Sequence, residues 1–165
     1  MGTNLLIGGT GGNPALHVAK ECTLTISGYS SLEARDYHLG DGIGCGENSP
    51  YKECGNIVIK SGHIEAYATT HAAGISSCQT GTCGDITIEG GEVYSYGAEY
   101  GAGIGGGNYS KCQKITINNG RLLLALCQTT QVTAETSIVE HQLAFVAESA
   151  AIHVFRHFCH NTTIF

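Results

Sequence analysis

The chain has 165 residues, of which 24 are glycine and only 13% are charged, with a formal net charge of -6. This length suits one domain, or one domain with a short appendage, and an acidic balance without a Lys/Arg cluster excludes nucleic acid as a partner. No apolar run approaches the ~20 residues of a membrane span, and Met1 to Gly9 shows no basic region followed by a long apolar stretch, so neither insertion nor a signal peptide is read here.

The first apolar piece, Leu6-Ile7-Gly8, enters as if in mid-coil and reads as the first instance of a small-Gly-Ile-small motif. That motif returns as Gly42-Ile43-Gly44, Gly74-Ile75-Ser76 and Gly103-Ile104-Gly105. A second motif begins loosely at Glu21-Cys-Thr-Leu-Thr-Ile-Ser27. It then aligns without gaps over Cys54-Gly-Asn-Ile-Val-Ile-Lys-Ser-Gly62, Cys83-Gly-Asp-Ile-Thr-Ile-Glu-Gly-Gly91 and Cys112-Gln-Lys-Ile-Thr-Ile-Asn-Asn-Gly120. These three copies are 29 residues apart, marked by Ile57, Ile86 and Ile115. Two motifs sharing one period identify a repeat protein, with glycines as turn punctuation.

Each unit holds three short apolar pieces, illustrated by Ile86-Thr-Ile88, Val93-Tyr-Ser95 and Ala102-Gly-Ile104. Apolar and polar residues alternate as in a strand with one buried face, and no piece is long enough for a helix. The expected fold is all-β: a right-handed parallel β-helix, or solenoid, of about four coils over residues 1–126. Residues one period apart should stack about 4.8 Å apart, where like charges repel. The pairs Lys60/Glu89 and Asp85/Lys114 have opposite signs, consistent with this register.

From Gln128 the beat disappears, and residues 127–165 read as a non-repeat tail. Val139, Leu143, Val146, Ala147, Ala150, Val154 and Phe158 recur at helical spacing, which suggests an amphipathic helix capping the open end of the solenoid. With its entry in mid-coil, the chain reads as part of a longer array.

Gly-Ala-Gly-Ile-Gly-Gly-Gly (101–107) followed by Cys-x-x-Ile-Thr-Ile-x-x-Gly (112–120) resembles the glycine-rich β-helix repeat arrays of large bacterial cell-surface proteins, some grouped as adhesin-like or carbohydrate-binding. The resemblance spans residues 5 to 126. It implies a β-helix, a cell-surface or secreted location, and a binding or spacer role. It brings no catalytic residue with it.

Candidate sites follow from the columns. Cys22, Cys54, Cys83 and Cys112 share a corner of successive coils and read as a ladder of buried, reduced thiols. Loop disulfides Cys45–Cys54 and Cys78–Cys83 are the alternative in an oxidising compartment. There is no Cys-x-x-Cys to hold zinc. His153, His157 and His160, with Cys159 beside them, would share a helical face able to hold a metal, though a solvated polar face is the simpler reading; no metal or other cofactor is assigned. Glu65, Asp85, Glu89 and Glu92 face outward without a column of basic residues beside them, so catalysis is not expected. The row Thr25, Thr87, Thr116 is interrupted by Val58 and flanked by charges, which argues against an ice-binding face.

The favoured site is aromatic. Ile64, Val93 and Leu122 should point inward, which turns Glu65, Tyr67, Tyr94 and Tyr96 outward. A flat aromatic strip beside carboxylates suits sugars, which offer apolar C–H faces and hydroxyl edges. Half-exposed strands also favour tyrosine on propensity alone. The expected function is therefore a non-catalytic cell-surface module binding glycans through Glu65, Tyr67, Tyr94 and Tyr96. The alternative is a structural spacer or stalk segment with no specific ligand.

Overall fold

The computed structural model describes residues 2–9, 11–47 and 52–122 in full, and the backbone of 123–125 and 135–138. The first coil contributes strands β1 (Thr3–Ile7), β2 (Leu16–His17) and β3 (Thr23–Ile26). The second adds β4 (Ser31–Arg35), β5 (Ile43–Gly44), β6 (Glu53–Cys54) and β7 (Asn56–Ile59). The third repeats the order with β8 (His63–Tyr67), β9 (Ile75–Ser77), β10 (Thr82–Cys83) and β11 (Ile86–Ile88). The fourth has β12 (Glu92–Tyr96), β13 (Ile104–Gly106), β14 (Lys111–Cys112) and β15 (Lys114–Ile117), followed by β16 (Arg121–Ala125) and β17 (Glu135–Ile138).

Every strand pairs in parallel with its counterpart one coil away, giving four sheets that run the length of a β-solenoid. The front sheet, in the order β1-β4-β8-β12-β16, carries the longest strands. The sequence suggests three strands per coil. The fourth sheet, β6-β10-β14, consists of two-residue strands at the cysteine corner, too short to show alternation.

The interior is made of vertical ladders. Ile57, Ile86 and Ile115 pair in register, as do Ile59, Ile88 and Ile117, and Ile43, Ile75 and Ile104. All of these are buried, together with Ile64, Val93 and Leu122 beneath the front sheet. Leu24 and Ile26 extend two of the ladders into the first coil. Among the inner-row residues of the front sheet, Ser95 is polar and buried, and it donates its hydroxyl to the Gly103 carbonyl at 2.5 Å. That bond meets the requirement that a buried hydroxyl find a partner.

The turns that lead from β3, β7, β11 and β15 into the next front-sheet strand share one backbone feature. Gly28, Gly62, Gly91 and Gly120 all have positive φ, between 92° and 132°. Only glycine enters that region without a Cβ penalty, which explains the glycine that ends each of the three gapless copies of the second motif.

Two sequence expectations need correction. Leu6 does not start the Gly-Ile column: β1 belongs to the front sheet and sets Leu6 beside Ala34, whereas Leu16 pairs with Ile43. Cys22 is exposed and lies outside the cysteine column, because Ala19 takes the bridge to Cys54. Glu135–Ile138, within the segment read as non-repeat, pairs in parallel with β15 and adds a rung to that sheet. The helix read over residues 139–158, and His153, His157, Cys159 and His160, lie outside the described residues.

Candidate functional site

Strict alternation along the front sheet sends every second residue outward and sorts them into three columns. Ser31, His63, Glu92 and Arg121 form the first; Glu33, Glu65 and Tyr94 the second; Arg35, Tyr67 and Tyr96 the third. All four residues expected from sequence are on this face. Tyr67 and Tyr96 are vertical neighbours, as are Glu65 and Tyr94, and the Tyr67 hydroxyl donates to Glu65 Oε2 at 2.7 Å.

The rings do not lie flat on the sheet. Tyr67 and Tyr96 stack face to face, centroids 4.6 Å apart and planes 2° from parallel. The Arg35 guanidinium covers the opposite face of Tyr67, 4.0 Å from its centroid. Both faces of Tyr67 are therefore occupied within the protein, and the flat aromatic strip expected from sequence is instead a column seen edge-on. The physical reason is the strand spacing of about 4.8 Å between coils, which is close to the centroid distance of stacked rings.

Four residues of this face, Glu33, Arg35, His63 and Arg121, were missed by the sequence reading, and Glu92, already read as outward-facing, joins them. Arg35 donates from Nε to Glu33 Oε1, and Glu33 itself sits in register with Glu65. Like charges so placed repel, and each carboxylate here has its own cation. His63 bridges two coils, with Nε2 3.0 Å from Glu65 Oε1 and Nδ1 3.1 Å from Glu92 Oε2. Arg121 Nη1 reaches Glu92 Oε1 at 3.4 Å. The Tyr94 ring leans on the His63 ring, centroids 4.9 Å apart.

A continuous network thus runs over four coils, from Glu33 and Arg35 through Tyr67, Glu65, His63 and Glu92 to Arg121. Its electrostatics are mutually reinforcing. The bond to Glu65, followed by that to Glu92, holds the His63 pKa above the usual histidine value. The Tyr67 hydroxyl and His63 hold Glu65 below the usual carboxylate value, and His63 and Arg121 do the same for Glu92. Burial and the Glu65 carboxylate push the Tyr67 phenol upward.

The cysteine corner differs from its expectation. Cys83 and Cys112 are joined by a disulfide between adjacent coils, Cα atoms 4.7 Å apart. Neither loop pair forms: Cys45, Cys54 and Cys78 are free and buried, and Cys83 is already taken. In-register stacking brings column members closer than loop neighbours. The Cys45 and Cys78 thiols lie 3.0 Å apart, and that contact, followed by burial, pushes the Cys45 pKa up.

Beside the free Cys54 a cleft of about 360 Å³ opens among Lys20, Glu53, Asn56, Thr82 and Gln113. Lys20 and Glu53 pair across it at 2.6 Å. Near the coil ends, the buried Asp41 accepts from the Cys45 and Ala73 backbone N–H groups, and burial pushes its pKa well up. The bond from Ala73 fastens the third coil to the second and the bond from Cys45 closes a turn within the second, which is a structural task.

Among the described residues no group of three or more His, Cys, Asp or Glu is arranged to hold a metal ion. Also among them, no helix is long and apolar enough to cross a membrane. The chain matches no family model, no curated protein and no solved structure.

Proposed function

We propose that this chain is a non-catalytic binding module that takes glycans on the outward face of the front sheet. The observation that carries the reading is the concentration of Glu33, Arg35, His63, Glu65, Tyr67, Glu92, Tyr94 and Tyr96 on three consecutive strands of one face. Carboxylates, a guanidinium and phenol hydroxyls held on a sheet match the hydroxyl groups along a sugar chain without prior rearrangement. Because Tyr67 is covered on both faces, its contribution is its edge and hydroxyl. Each coil would contribute a weak contact, and repetition along the axis would raise the total.

A cell-surface location within a longer repeat chain accompanies this reading. It rests on the likeness of the 101–120 segment to bacterial surface arrays.

A spacer role with no specific ligand is the second reading. It is favoured by the fact that the charges of the face are already paired with one another. A glycan array followed by titration of tyrosine fluorescence separates the two. Binding that disappears in Tyr94→Ala and Tyr96→Ala supports the glycan module. A wild-type protein silent across diverse glycans leaves the spacer.

A further inference from the structure

We propose that His63 is the pH sensor of the front face: as an imidazolium it occupies both Glu65 and Glu92, and its deprotonation releases one carboxylate to the hydroxyl groups of a ligand. The sensor stands on geometry alone, whereas the released carboxylate's use by a sugar rests on the glycan reading.

The argument begins with proton counting. Each ring nitrogen of His63 faces a carboxylate oxygen, at 3.0 Å on the Glu65 side and 3.1 Å on the Glu92 side. A neutral imidazole carries one N–H, so its bare nitrogen would set a lone pair against a carboxylate lone pair. Only the doubly protonated ring donates to both.

The surroundings favour that form. On its own strand His63 meets Glu65, with Tyr67 beyond it; from β12 come Glu92 and the Tyr94 ring; from β4 come Ser31 in register and Glu33 one column over. Arg121 of β16 touches the far oxygen of Glu92, and Arg35 is committed to Glu33 and the Tyr67 face. Glu33, Glu65 and Glu92 balance Arg35, Arg121 and protonated His63; loss of the proton to water leaves one net negative charge.

The two carboxylates are anchored at their other oxygens, Glu65 Oε2 by the Tyr67 hydroxyl and Glu92 Oε1 by Arg121. A neutral His63 keeps its bond to one and gives up the other. The released oxygen stays on the face with its carbon frame held in place. A ligand hydroxyl donating to it gains one charge-assisted hydrogen bond, which corresponds to an affinity rise of about tenfold as the pH passes the His63 midpoint.

The test follows the ring nitrogens of the ¹⁵N-labelled full chain by NMR across the histidine range, with His63 assigned through His63→Gln. The expected result is a ring that donates from both nitrogens on the acid side of its transition, with a midpoint above that of an ordinary histidine. Glu92→Gln should lower that midpoint while leaving the other histidines unmoved. An ordinary midpoint, or one unaffected by Glu92→Gln, overturns the sensor.

A glycan from the array is then titrated below and above the midpoint, expecting the tenfold rise in wild type and none in His63→Gln. Binding that ignores pH while His63 titrates as stated overturns the release of a carboxylate. If no glycan binds at either pH and His63 still titrates as stated, the glycan reading falls and the sensor stands.

Discussion

Tyr67 and Tyr96 lie face to face across adjacent coils, 4.6 Å between centroids and 2° from parallel, with Arg35 closing the other side of Tyr67. The coil spacing itself positions these groups, so the contact should show as an energetic coupling. A double-mutant cycle over Tyr67→Ala and Tyr96→Ala, measured by urea unfolding, should give a coupling of about 0.5–1.5 kcal/mol. Strict additivity would mean that the stack is incidental.

The interior ladders predict a sharp contrast within a single strand. Ile86 is fully buried between Ile57 and Ile115, whereas its neighbour Thr87 turns to the outer face. Ile86→Ala should cost about 2–5 kcal/mol of unfolding free energy through lost burial and an unfilled cavity. Thr87→Ala should change it by less than about 1 kcal/mol. Urea midpoints of the two variants are the check.

Much of this interior was legible in the sequence because buried isoleucines recur at a constant step in the later coils. The outer face was legible only in part. Tyr67 and Tyr96 share the step of 29 between the third and fourth coils. Arg35 and Tyr67 are separated by a step of 32, because the second coil has a longer loop, and this hid the Arg35–Tyr67 contact. Ring orientation was not legible at all, since alternation decides which face a side chain takes but not how a ring turns on it. The cysteine pairing failed for a related reason: sequence nearness suggested loop pairs, whereas stacking joins Cys83 to Cys112.

Glycine positions should differ in tolerance according to the backbone above them. A Cβ added at Gly101 would overlap the Ala72 carbonyl of the neighbouring coil, while one added at Gly9 meets nothing within 4 Å. Gly101→Ala should therefore force the coils apart and lower the melting temperature by several degrees, and Gly9→Ala should leave it unchanged. Equal melting temperatures for the two variants would contradict the coil-to-coil packing.

The network of the front face sets a pH window for stability. Glu65 and Glu92 are held below their ordinary value of 4.5, so their contribution is present above that value and fades as the pH falls through their folded pKa values. His63 is held above its ordinary 6.5, so its contribution is complete below that value and is lost as the pH rises through the folded pKa. The combined contribution is greatest between these limits. Thermal melts across pH should show His63→Gln removing the decline on the alkaline side; a wild-type profile that the substitution leaves unaltered would contradict the ion-pair network.

Thiol accessibility should divide the four free cysteines among the described residues. Cys22 is exposed, whereas Cys45, Cys54 and Cys78 are buried. Burial also pushes the Cys54 thiol well up, which removes the reactive thiolate. An alkylating reagent applied to the folded protein should label Cys22 within minutes and reach the other three only on unfolding. Mass mapping that finds Cys54 labelled as fast as Cys22 would contradict the buried corner.

The claim on which the function rests is that ligand engages the outward face of β4, β8 and β12. Its most direct measurement is an NMR titration of the labelled chain with a glycan selected from the array, mapping which resonances move. The account predicts saturable shifts at Glu65, Tyr67, Tyr94 and Tyr96, with His63 responding beside them. Shifts gathered instead around Lys20, Glu53 and Asn56 at the cysteine-corner cleft would contradict it.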